Sequence, residues 1–73
     1  MVADKKHPDY PEYIEKCKAA AARCDAQLAQ LREESEAQGL PAPDMGRMIA
    51  VRREEGATIK ALREEYRHIF IPA

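Results

Sequence analysis

The side chains that could do nucleophilic or metal chemistry in this 73-residue chain are few: Cys17, Cys24, His7, His68, Ser35 and Thr58. Cys17 and Cys24 stand at i and i+7. On one helix their Cα atoms would lie about 10 Å apart, too far for an intramolecular disulfide. They do not form a CxxC pair, so neither a zinc knuckle nor a redox motif is expected. Two small buried residues are the expected reading, with a bridge or metal shared across a dimer as the alternative. Glu64 and His68 have the i,i+4 spacing that can set two metal ligands on one helix face. No spacing supplies a third, so a surface ion pair is expected, with no metal site and no cofactor. Ser35 and Thr58 do not stand in a glycine-rich elbow, and Gly39, Gly46 and Gly56 are too scattered for a phosphate-cradling loop. The acidic pairs Glu33-Glu34, Glu54-Glu55 and Glu64-Glu65 fall on predicted exposed faces, where solvated surface charge accounts for them. The expectation is a protein that is not an enzyme.

The elements that would position these residues are helices. Residues 1–10 read as an arm. Asp9, Pro11 and Glu12 resemble a cap, a first-turn proline and the far member of a capping box. From there to Gln38 the strong helix formers dominate, which predicts a long helix over 11–38. Ile14, Cys17, Ala21, Cys24, Leu28 and Leu31 alternate in steps of three and four, a heptad seam that Ser35 closes. Gly39-Leu40-Pro41-Ala42-Pro43 stops that helix. Asp44 is placed to cap a second helix over 44–55. Gly56 leaves a fork: a break, with Thr58 capping a third helix over 58–69, or a tolerated glycine in one long helix. The break is favoured because Thr58 is a ready cap. The fold class expected is all-α, with the long N-terminal helix antiparallel to two shorter helices: a three-helix fold or a helical hairpin. No strand-like alternation is visible. Ile69, Phe70 and Ile71 form the most apolar cluster, at the head of a tail over 70–73. Such a cluster should be docked, on the first helix or in a partner's pocket.

The bulk properties limit what such a domain can do. A single domain of this length buries only about 60% of its unfolded surface and usually needs a staple. With no disulfide or metal site expected, a partner becomes the expected staple. Charged residues make up 34% of the chain at a net charge of −1, which does not give the positive field typical of nucleic-acid binders. No apolar run approaches the ~20 residues of a membrane span, and Met1-Val2-Ala3-Asp4-Lys5-Lys6 is not a signal peptide. Free thiols then fit a reducing cytoplasmic setting, or a virion interior if the Ala/Arg/Glu-rich chain is of phage rather than bacterial type.

Residues 47–67 resemble the first two helices of a resolvase/transposase-type helix-turn-helix. Met48 and Val51, then Gly56, Thr58, Ile59 and Leu62, match that family's order of apolar helix, glycine, small polar cap and second apolar helix. The chain departs from it at Arg63, where the family usually has a small residue, and at Arg67, where it usually has a turn glycine. Only residues 68–73 follow, where the family carries its recognition helix. The resemblance therefore implies the helix–glycine–helix geometry and not the base-reading role. The leading expectation is a small helical module that contacts itself or a larger protein assembly through the Ile14–Leu31 seam. Nucleic acid ranks second, as a dimeric regulator presenting Arg47, Arg52, Arg53, Lys60, Arg63 and Arg67.

Overall fold

The computed structural model describes residues 1–72. The chain runs β1 (Val2–Ala3), α1 (Tyr10–Ala37), α2 (Met45–Glu65), a 3₁₀ turn (Arg67–Ile69) and β2 (Phe70–Ile71). The two helices form an antiparallel hairpin. Lys16 reaches Glu65 at one end (3.3 Å) and Arg47 reaches Glu34 at the other (3.0 Å).

The turn between the helices is built as its residue types suggest. Gly39 has φ of 70°, a left-handed conformation that glycine adopts without steric cost. The Leu40 N–H donates to the Ser35 carbonyl at 2.9 Å and the Gly39 N–H to Glu36 at 3.0 Å, the Schellman pair that satisfies the last carbonyls of a helix. Pro41 and Pro43 prevent continuation. Asp44 then caps α2, its carboxylate accepting from the Arg47 N–H at 3.1 Å.

Three expectations are corrected. The favoured break at Gly56 is absent: α2 is one helix from Met45 to Glu65, so the separate helices over 44–55 and 58–69 do not form. Thr58 is not a cap; its hydroxyl donates back to the Glu54 carbonyl at 3.0 Å, inside the helix. Gly56 is exposed, and a mid-helix glycine costs only about 1 kcal/mol relative to alanine, less than ending one helix and starting another. Secondly, the fold is not purely helical. β1 and β2 pair antiparallel, with Val2 opposite Ile71 and Ala3 opposite Phe70. Strands of two residues are too short for alternation to show. Thirdly, Asp9 stands at the N-cap of α1 without a side-chain cap bond, its carboxylate turned to His68 at 2.8 Å. Pro11 does lie in the first turn.

The arm over 1–10 is folded. The Asp4 N–H donates to the Ile69 carbonyl at 2.8 Å, and the N–H groups of His7 and Tyr10 donate to the Asp4 and His7 carbonyls. This brings both ends of the chain to the open end of the hairpin, where the main core forms. Tyr13, Leu62, Tyr66 and Ile69 are buried there, with Ala3, Tyr10, Ile14, Cys17, Ile59 and Phe70 packed around them.

Candidate functional site

α1 turns one face to α2, and the seam read from its sequence is mostly consumed there. Cys24, Leu28 and Leu31 are buried between the helices, and Ile14 and Cys17 are half-buried against the terminal core. Ala21 is exposed and Ala20 takes its place. The cause is the run Ala19-Ala20-Ala21-Ala22: four identical small residues span a full 3.6-residue turn and carry no phase. Tyr13, one turn before Cys17, belongs to the seam and was missed. The seam therefore closes the hairpin and is not a free docking face. In its midsection the small side chains of Ala20 and Cys24 are buried, beside half-buried Val51, Glu55 and Thr58 of α2.

The apolar C-terminal residues are docked onto the protein's own first helix. Ile69 has no exposed surface. Phe70 is half-buried, its ring edge-on to Tyr13 at 5.6 Å between centroids. Tyr13 also meets Tyr66 at 5.5 Å. Ile71 stays exposed, as does its strand partner Val2. Lys16 bridges Glu12 at 3.5 Å and Glu65 at 3.3 Å, and its ammonium stands 5.0 Å from the Tyr66 ring centre. Its pKa is raised, first by the adjacent Tyr66 hydroxyl and then, against desolvation, by Glu65.

Burial shifts three acids in one direction. Desolvation, and then Cys17, push the Tyr13 hydroxyl upward, with Arg63 acting against them. Desolvation, and then Glu55, raise the Cys24 thiol. Tyr66 is drawn down by Lys16, but burial and Glu12 outweigh it and the net shift is upward. Cys24 is thus a buried, protonated thiol, a poor nucleophile and a poor metal ligand. Cys17 and Cys24 are both free.

Arg47, Arg52, Arg53, Lys60, Arg63 and Arg67 are all exposed; Arg53, Lys60 and Arg63 fall on one face of α2 with Glu64 beside them. Arg47 is spent on Glu34 and Arg52 on Glu55, while Glu54, Glu64 and Glu65 lie exposed on the same helix. The continuous α2 also lacks the helix–glycine–helix break that the helix-turn-helix resemblance implies.

The surface carries apolar side chains at both poles. Leu40, Met45 and Ile49 are exposed at the turn end, and Met1, Val2 and Ile71 at the end where the termini meet. Met45 and Ile49 are i,i+4 neighbours on one helix face.

The expected Glu64–His68 pair does not form. His68 instead takes Asp9, with Nε2 at 2.8 Å from Oδ2. His7 lies beside them, its ring 5.3 Å from that of His68 and its Nδ1 accepting from the Asp9 N–H at 3.0 Å. Local spacing gives no sign of this third group, because His7 and Asp9 are separated from His68 by the length of the hairpin in sequence. Comparison with family models, with curated proteins and with solved structures finds no match.

Proposed function

We propose that this chain is a non-enzymatic contact module, a helical hairpin whose uncovered apolar residues are buried by a second copy of itself. The observation that supports this is the mismatch between size and surface. A folded monomer of 8.3 kDa exposes about 4,600 Å², whereas this chain exposes 5537 Å². Its radius of gyration is 16.1 Å with extents of 49 × 18 × 17 Å, against about 11 Å for a compact domain of this length. Large apolar side chains remain in that excess surface. Because the α1 seam is taken up within the hairpin, the contact surface offered is the turn-end face of α2, Met45 and Ile49 with Leu40 beyond the turn. A larger assembly could cover the same face.

Sedimentation equilibrium tests this. Concentration-dependent association is expected, and Met45→Glu with Ile49→Glu should weaken it while leaving the helical circular dichroism unchanged, since both positions are exposed. A strictly monomeric wild-type chain at all concentrations would overturn self-association. The second reading, a dimeric DNA-binding regulator using the α2 arginines, has its own readout. Duplex binding that falls steeply between two salt concentrations, as phosphate contact demands, would put it ahead.

A further inference from the structure

We propose that His7, Asp9 and His68 form a binding site for a divalent transition-metal ion, Zn²⁺ by ligand type, which staples the N-terminal arm to the C-terminal turn. Each residue offers one ligand atom, and these atoms all lie within 4.8 Å of one another. A tetrahedral zinc ion with bonds near 2.1 Å needs ligand atoms about 3.4 Å apart. The closure required is at most about an ångström and a half, within reach of side-chain rotation at a half-buried His7 and Asp9 and an exposed His68. Two imidazole nitrogens and one carboxylate oxygen suit zinc and its neighbours in the first transition row. Calcium and magnesium prefer all-oxygen shells. The fourth position is left to water.

The contacts in the metal-free protein hold these groups ready. Asp9 stands at a helix N-cap, where an aspartate usually accepts from the first backbone amides. Here it makes no such bond and faces His68. Its negative charge offsets the positive end of α1, which would otherwise oppose a cation. The hydrogen bond from the Asp9 N–H to His7 Nδ1 sets the imidazole beside Asp9 and must be given up for that nitrogen to take a metal. Binding needs a free ring-nitrogen lone pair on each histidine, so the His68–Asp9 contact and the hydrogen bond from the Asp9 N–H to His7 Nδ1 give way to three coordinate bonds. The three ligands come from the arm, the start of α1 and the 3₁₀ turn, so the ion ties residues 7 and 9 to residue 68 at the open end of the hairpin.

The test is Zn²⁺ titration of the chelator-treated full chain, followed by calorimetry and thermal melting. The same titration of a Cys17→Ala/Cys24→Ala chain removes the competing thiols. One-to-one saturable binding with a rise in Tm is expected in both chains, since ligand bound only to the native state raises stability. His68→Ala and His7→Gln should each abolish the rise, and the near-isosteric Asp9→Asn should weaken binding at least tenfold while the circular dichroism stays helical. Co²⁺ should give visible d–d absorption without a thiolate charge-transfer band. Should His68→Ala fail to fold, His7→Gln and Asp9→Asn decide the matter alone. Lack of saturable binding, binding lost with the cysteines, or binding undiminished by His7→Gln and Asp9→Asn would each overturn the proposal.

Discussion

Tyr13 and Ile69 meet where the first turn of α1 receives the end of the chain, and they carry the heaviest single-residue consequences. Ile69→Ala removes a fully buried side chain and should cost about 2–5 kcal/mol in denaturant unfolding. Leu28→Glu is different from what a free seam implies. Leu28 lies inside the hairpin, so the expected outcome is lost helical signal and not a folded, non-associating monomer. Acid–base behaviour follows from the same burial. Tyr13, Cys24 and Tyr66 all have pKa values raised on folding, Cys24 from an ordinary 9.0 and the tyrosines from 10.0. The folded state thus keeps protons that the unfolded chain releases. Their contribution to stability is complete below about pH 9 and is lost as pH rises through the folded-state values. Urea midpoints measured from pH 8 upward should fall progressively beyond about pH 9; a flat profile would contradict the burial of these groups. At this scale the sequence was only partly legible. Leu28, Leu31 and Cys24 could be found from spacing, but the alanine run erased the phase at Ala20. Tyr13 was passed over because its partners, Tyr66 and Phe70, are distant in sequence.

The helices were legible where local chemistry decides them. The stop at Gly39 with its two prolines, and the cap at Asp44, are short-range signals that no tertiary contact had to override. Asp44→Ala should therefore cost about 1 kcal/mol. At Gly56 the local signals pointed to a break and the continuous helix prevailed. A Cβ at Gly56 meets nothing within 4 Å, so Gly56→Ala should raise stability by about 0.5–1 kcal/mol. A fall in Tm would show that the helix does break there in solution. The two short strands were not legible, because pairing Val2–Ala3 with Phe70–Ile71 depends on where the hairpin delivers its ends. Removing residues from Phe70 onward takes away that pairing and a half-buried ring. About 1 kcal/mol, a Tm drop of about 4–8 °C for a domain this small, is expected.

The whole molecule is a rod 49 Å long with its best-packed core at one end. From the Tyr13–Ile69 cluster toward the turn, α1 still contributes buried residues, but Leu62 is the only buried residue of α2. Amide exchange should therefore be slowest around Tyr13, Leu62 and Tyr66 and fastest near Leu40 and Met45, with fraying progressing from the turn. Among the described residues no helix is long and apolar enough to cross a membrane. The overall shape was legible from helix lengths, but the concentration of the core at one end was not, because it depends on the arm folding back. That arrangement also has a mechanical consequence. Residues 2 and 71 sit side by side in an antiparallel pair, so a force that draws the two ends apart pulls across the ribbon and opens it like a zipper, one rung at a time. The short strands would yield at low load, and the next resistance would be the Tyr13–Ile69 cluster. Held by its ends, this rod would behave as a latch with a single catch.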